Sequence, residues 1–428
     1  MEGLNLFSIL KNASYRKLWL SQVISELGDG ITSLLILYLA SKTSDSPLVF
    51  SYVLIARYLP NVILGTFVGP IIDKFPKKRV MILADIYRFV ILIGMIFAQS
   101  SLVLLILFTL LLGVGTVFFE PAKSATIPRI MDNESIPNAV SLSQSTTMAI
   151  SIIAPSIGGV LLLTKHYSFM LILDSLTFLL SALILFFIRI PTDICSKEGE
   201  RQKQSYKEAL KEGVKTISSS TVLIGLFSLL IVGIFVFSFI NTNIYPLLLN
   251  DFKVGELHFG TLQTVFGFTA VVGSLLVPKI MEKIKSSSLV IFTFIFIGIM
   301  CFLVIPTYKA HLLLPLVPVY IWLAIIGFTN TFINVPVNSL LLQSVPKEIL
   351  GRVTGILITV INLSSLIGLY SGGFIANHIG SIWAIVIGGA CLLVFSLVFP
   401  LTKYYKSLHI KNEKSSIEEM KGVSVEES

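Results

Sequence analysis

The chain has 428 residues, of which 54% are hydrophobic and 13% charged, with a net charge of +8 and a mean hydropathy of +0.87. Soluble domains carry about 25% charged residues, and the fraction of surface a fold can bury rises only slowly with length, so one soluble core is excluded. The basic excess is spread over the segments between apolar runs rather than gathered in one patch, which argues against a nucleic-acid partner.

Twelve apolar runs are each long enough to cross about 30 Å of hydrocarbon as a helix. They lie near 18–41, 48–69, 80–99, 101–120, 139–162, 167–189, 222–249, 259–281, 288–306, 313–335, 353–376 and 381–402. Of the 32 Lys and Arg residues, 26 fall on one side of these runs, Lys123 and Arg129 among them in the loop after the fourth. Only Lys42, Lys165, Lys253 and Lys309 fall on the other side, and Arg57 and Arg88 lie within spans. The positive-inside rule then predicts both termini in the cytoplasm. The expected architecture is an all-α membrane protein with twelve transmembrane helices in two six-helix bundles, residues 1–190 and 221–402. A cytoplasmic central loop, 191–220, with an amphipathic stretch over 205–213, and a disordered tail, 403–428, complete it.

The first run carries Glu26 and Asp29 beside Gly28 and Gly30. The two carboxylates share a helix face and repel in a low dielectric, so one of them is expected to hold an exchangeable proton. Arg57, in the second run, lies about 13 Å from the far face and Asp29 about 18 Å, close enough in depth to pair. Asp29 is then the ionised member, and Glu26, with no cation in view, the proton carrier. A purely structural Asp29–Arg57 pair is the plain alternative.

The second run leads into Gly69-Pro-Ile-Ile-Asp73-Lys74-Phe-Pro-Lys77-Lys78-Arg79. A carboxylate here can face a helix N-terminus, and the basic residues can pair with an inner-end acid such as Glu120, giving an inner gate. The plain reading is that Lys74, Lys77 and Arg79 only set topology. Asp85 and Arg88, three apart in the third run, are expected to pair locally. The fifth run contains Pro155, Gly158 and Gly159, either a hinge or a packing kink. Asp174, about 10 Å from the far face, is read as hydrated or as an outer-gate contact.

Spans seven to twelve hold no interior charge. Asn241, Asn243, Trp322 and Asn334 are the candidates for an apolar cavity that takes an aromatic or amphiphilic ligand. Helix–helix hydrogen bonding is the competing role for each Asn. The halves also repeat: Glu120-Pro-Ala-Lys-Ser124 parallels Val335-Pro-Val-Asn-Ser339, Gly158-Gly159 parallels Gly372-Gly373, and Gly65 with Pro70 parallels Gly273 with Pro278. The three cysteines have no metal-ligand spacing, and there is no phosphate-binding loop ending in Gly-Lys-Ser/Thr.

The loop over 69–79 resembles the signature of the major facilitator superfamily, G-x-x-x-D-(R/K)-x-G-(R/K)-(R/K), with Pro76 in place of the second glycine. Ala154-Pro155-Ser-Ile-Gly158-Gly159 resembles the end of the motif of drug:proton antiporters, with Ala154 in place of the first glycine. Phe118-Phe-Glu-Pro-Ala, Asn138-Ala-Val-Ser, Asp174-Ser-Leu-Thr-Phe178 and Pro346-Lys-Glu-Ile-Leu-Gly-Arg-Val resemble the macrolide-efflux and siderophore-export branch. The resemblance implies two rocking bundles and proton-coupled efflux of an amphiphilic small molecule of the drug or antibiotic type. It implies no cofactor besides the proton gradient, no ATPase subunit and a monomer. A siderophore, a peptide antibiotic or a lysolipid is the alternative cargo. A non-transporting sensor or enzyme is disfavoured, since no nucleophile–base pair stands out.

Overall fold

The computed structural model describes residues 6–190, 217–218, 220–314, 316–344 and 350–408, and among these there is no strand. The amphipathic stretch 205–213, and most of the expected central loop and tail, lie outside the described residues. Twelve long helices follow in order. They are α1 (Ala13–Thr43), α2 (Leu48–Asp73), α3 (Lys77–Met95), α4 (Leu102–Ile130), α5 (Ile136–Leu162) and α6 (Tyr167–Phe186). Then come α7 (Thr221–Pro246), α8 (Glu256–Met281), α9 (Ser286–Phe302), α10 (Val317–Ser344), α11 (Leu350–Ile379) and α12 (Ser381–Val398). A short helix, Val304–His311, continues α9. Among the described residues eleven helices are long and apolar enough to cross a membrane, and a shorter apolar stretch, Val317–Ile333, lies in α10.

Local chemistry starts and stops these helices. Asn12 caps α1 by accepting from the backbone N–H groups of Ser14 and Tyr15 at 3.0 and 3.1 Å. Its amide also donates to Ile130 O at 2.8 Å, which ties the start of α1 to the end of α4. Gly380 joins α11 to α12 at φ 86°, a left-handed conformation that a side chain disfavours.

The apolar run that predicts the fourth span ends near 120, yet α4 continues to Ile130 through Pro121 and Pro128. Each proline removes one N–H from the helix ladder, but a helix packed among neighbours tolerates that loss. The extension draws Lys123 out of the expected loop and into the helix packing, where it is 6% exposed.

The chain forms two compact units. Unit one comprises Met1–Gly199 with Tyr245–Thr264, and unit two Glu200–Ile244 with Val265–Ser428. In unit one α1 packs on α5 and α6, α2 on α4, and α3 on α4 and α6. In unit two α9 packs on α10 and α12. Gly368 and Gly372 of α11 lie against the backbone of Phe235 and Phe239 on α7, and Gly273 of α8 against Phe328 of α10. The α7–α11, α8–α10 and α9–α12 contacts thus reproduce α1–α5, α2–α4 and α3–α6, in line with a duplicated sequence. Residues without a side chain let the backbones meet.

Several bonds gather one end of unit one. Ser14 Oγ donates to Arg189 O at 2.9 Å, and Lys78 Nζ donates to Phe186 O and Ile188 O at 2.6 and 2.8 Å. This is the basic end. At the far end Gln99 Nε2 donates to Ser168 Oγ at 2.8 Å, and the Tyr38 and Tyr167 rings lie 5.9 Å apart.

Candidate functional site

Unit one brings the charged residues of its spans into three clusters and one lone acid. The first is a triad. Lys123 Nζ lies 3.3 Å from Glu26 Oε1 on α1 and 3.0 Å from Glu120 Oε2, one turn back on its own helix. The lysine side chain is 7% exposed, Glu26 20% and Glu120 47%, so the triad is shut on the lysine side and open at Glu120. Thr147 on α5 donates to Glu26 Oε1 at 3.2 Å, while Glu26 Oε2 is buried without a partner. Two carboxylates share one ammonium. With all three ionised the triad carries one uncompensated negative charge, which is costly inside a membrane.

The expectation that Glu26 has no cation is therefore corrected: its partner is Lys123. The signal was present, because Glu120 and Lys123 are three apart and face one way on a helix. The two prolines around them made the segment read as a loop.

The second cluster is Asp29 on α1 with Arg57 on α2, at 3.3 Å, each side chain 38% exposed. Ser33, one turn along α1, accepts from the same guanidinium. The third is Asp85 with Arg88 on α3. Ser181 Oγ of α6 donates to Asp85 at 2.6 Å, and the guanidinium is held between the Phe119 and Phe178 rings, 4.5 and 4.2 Å from their centroids. Both groups are buried, so this cluster locks α3, α4 and α6 together.

Asp174 on α6 departs from expectation. It is fully buried rather than hydrated, against Gly28 of α1, with Thr177 Oγ1 3.0 Å from Oδ1. A Cβ at Gly28 would collide with Asp174 and Thr177, so the glycine is what admits this helix contact.

The loop after α2 is arranged differently from the expected gate. Asp73 pairs with Lys77 at 2.7 Å, and Lys77 Nζ also donates to Ile72 O at 2.8 Å, capping the end of α2. Glu120 pairs with Lys123 instead of reaching this loop. Lys74 and Arg79 are exposed, and Gly69 has open space where a side chain would stand.

At the far end of unit one, residues 245–264 close on the first helices. Tyr38 OH donates to Glu256 Oε1 at 2.6 Å, with Lys42 Nζ 5.1 Å above the Tyr38 ring. Asn250 donates to Asp45 O at 3.0 Å. Gly158 of α5 meets Ile31 and Leu34 of α1, while Gly159 meets Gly260 of α8, where a Cβ would stand 2.9 Å from the Gly260 Cα. Thr264 Oγ1 donates to Ile152 O at 2.7 Å, on the turn before Pro155. The paired glycines thus serve two different helices.

Comparison with known proteins identifies the family. The Major Facilitator Superfamily profile matches residues 18–369 and 230–424. The chain belongs to the Major Facilitator Superfamily. Macrolide efflux protein A of Streptococcus pyogenes is 24% identical over 407 residues, 92% of this chain and 97% of that one. A putative bacilysin exporter of Bacillus subtilis (strain 168) is 28% identical over 265 residues, 60% of this chain and 64% of that one. Among solved structures, the POT family transporter PepTSo superposes with a TM-score of 0.70 at 11% identity, covering 93% of this chain and 99% of that one. A bacterial homolog of the human lysosomal transporter Spinster gives 0.67 at 14% identity, covering 96% and 98%. These likenesses in structure speak for the fold.

The unit-two candidates of this transporter are mostly packing residues. Trp322 is 3% exposed, and its indole N–H donates to Met300 O of α9 at 2.8 Å. Asn243 is fully buried, with its amide donating to Phe239 O at 2.8 Å and its Oδ1 without a partner. Asn241 is half-buried on α7. Asn334 lies on α10, and its side chain is outside the described ones.

Proposed function

We propose that this transporter exports a lipophilic cation in exchange for protons across a bacterial cytoplasmic membrane, with both termini in the cytoplasm. The observation that carries the reading is the Glu26–Lys123–Glu120 triad, two carboxylates on one ammonium. A site with one uncompensated negative charge in a low dielectric is stable only when that charge is met. A proton meets it in one half of the cycle and a monocationic substrate in the other. Exchange follows because the two compete for the same charge. The half-exposed Glu120 is the side from which an amine reaches the site, and Glu26 is where the proton resides. The apolar remainder of the substrate needs only hydrocarbon surface and a few amides.

The far-end contacts of unit one support alternating access. Tyr38–Glu256, Asn250–Asp45 and Gly159–Gly260 form a clasp that seals one side and must part for release. The direction of transport and the choice of an antibiotic-like amine rest on the efflux relatives. The orientation rests on the 26 basic residues at one end against four at the other. A second reading is a zwitterionic peptide cargo. The half-exposed Asp29–Arg57 pair offers both signs of charge to such a ligand.

The test uses inverted membrane vesicles and a radiolabelled lipophilic cation, tetraphenylphosphonium. Wild type accumulates it against its gradient when the lumen is acid. Glu26→Gln, whose triad is neutral as in the protonated state, is expected to lose uphill accumulation and to bind the cation weakly. A Glu26→Gln variant that concentrates the cation as well as wild type contradicts the assignment.

A further inference from the structure

The basic segment after α2 reads as one block in the sequence, but its four cations have different work in this protein. Lys77 caps α2 and pairs with Asp73. Lys78 caps the end of α6, donating to Phe186 O and Ile188 O. Arg79 and Lys74 have no hydrogen-bonded or ionic side-chain partner among the described residues. Neither the triad nor the far-end clasp uses Arg79.

Arg79 stands at the mouth of an apolar groove of about 580 Å³ on the surface of unit one. Ile71 and Phe75 of the α2 end form one wall, Leu83 and Tyr87 of α3 the other, and Val114 and Phe118 of α4 the back. Gly115 also lines the groove, packed against Arg88 and Tyr87 with no room for a Cβ. Phe75 and Leu83 are 57% and 65% exposed. From Arg79 to Tyr87 the groove runs about 12 Å along α3, most of the roughly 15 Å hydrocarbon depth of one leaflet.

We infer that this groove binds one anionic phospholipid of the leaflet at the basic end, its phosphate on Arg79 and an acyl chain along α2, α3 and α4. A planar guanidinium offers two parallel donors to a phosphate, and an arginine without an acidic partner attracts net negative charge. Anionic headgroups at a membrane surface draw juxtamembrane basic residues in the same way. Lys74, also unpaired and on the same loop, adds to the attraction at longer range. The apolar walls exclude a soluble phosphate ester, which gains nothing from them, so the occupant is a lipid. This inference rests on the membrane-spanning fold and not on the cation-exchange reading.

The test is native mass spectrometry of the full-length protein released from mixed micelles containing equal phosphatidylglycerol and phosphatidylcholine. Wild type is expected to retain one phosphatidylglycerol in about tenfold preference, the scale of one charge-assisted pair. Arg79→Gln should hold the two lipids about equally. Leu83→Trp fills the groove and should lose the retained lipid with Arg79 intact. Glycerol 3-phosphate should not displace it. Absence of a preference in wild type, its survival in Arg79→Gln, or displacement by glycerol 3-phosphate overturns the proposal.

Discussion

Glu120-Pro-Ala-Lys123-Ser124 on α4 and Val335-Pro-Val-Asn338-Ser339 on α10 stand at matching places in the two halves of this sequence, and only the first is charged. The same contrast holds throughout. Unit one holds the Glu26 triad, Asp29–Arg57, Asp85–Arg88 and Asp174 within its helices, whereas spans seven to twelve carry no interior charge. The helix contacts, by comparison, are shared: α1 meets α5 across Gly158 as α7 meets α11 across Gly372. Duplication supplied one packing scheme twice, and ion chemistry was kept in one copy. In the proposed cycle the charged half handles protons and the uncharged half offers apolar surface to the substrate.

The largest effect that breaks this comparison comes from Lys123→Met. It leaves Glu26 and Glu120 facing each other with no cation between them. Loss of one partner from a buried ion cluster costs about 3–5 kcal/mol, so uphill transport should fall by at least about 100-fold. Vesicle accumulation measures it. Adding Glu120→Gln to Lys123→Met returns the site to a single negative charge on Glu26 and should restore part of the uphill transport. Normal transport by Lys123→Met would mean that the triad is incidental.

Gly159→Leu sharpens the comparison at a place where a shared motif has taken on a local role. Its side chain would enter the backbone of α8 at Gly260. Disulfide formation between Tyr38→Cys and Glu256→Cys should drop about tenfold or more in this background, with transport falling in parallel. Unchanged cross-linking would show that the far-end contacts do not depend on this close approach.

The smallest effect is expected in unit two. Asn241→Ala should weaken the apparent affinity for tetraphenylphosphonium about two- to fivefold, the scale of one exposed hydrogen bond, and leave proton exchange intact. A loss of coupling in Asn241→Ala would erase the division of labour between the halves.

Some of this was legible in the residues. The twelve apolar runs foretell the helices, and depth counting along α1 and α2 places Asp29 near Arg57, because a helix converts residue number into distance. Asp85 and Arg88 are legible from spacing alone. Lys123 was hidden because Pro121 and Pro128 look like the end of a span, and only the neighbouring helices decide that α4 continues. The burial of Asp174 was hidden because depth says nothing about rotation around the helix axis. Which way α6 turns depends on the gap at Gly28. Likewise the split among Lys77, Lys78 and Arg79 depends on where the last carbonyls of α2 and α6 lie, which no local pattern reveals.

In the proposed cycle one charge site in unit one is filled in turn by a proton and by a substrate cation. The most direct measurement is proton release when tetraphenylphosphonium is added to the purified full-length protein in weakly buffered solution. Wild type should release about one proton per cation bound, as a single uncompensated charge requires, and Glu26→Gln, whose triad is already neutral, should bind the cation weakly and release none. Binding by wild type with no proton release, or equal release from Glu26→Gln, would contradict the account.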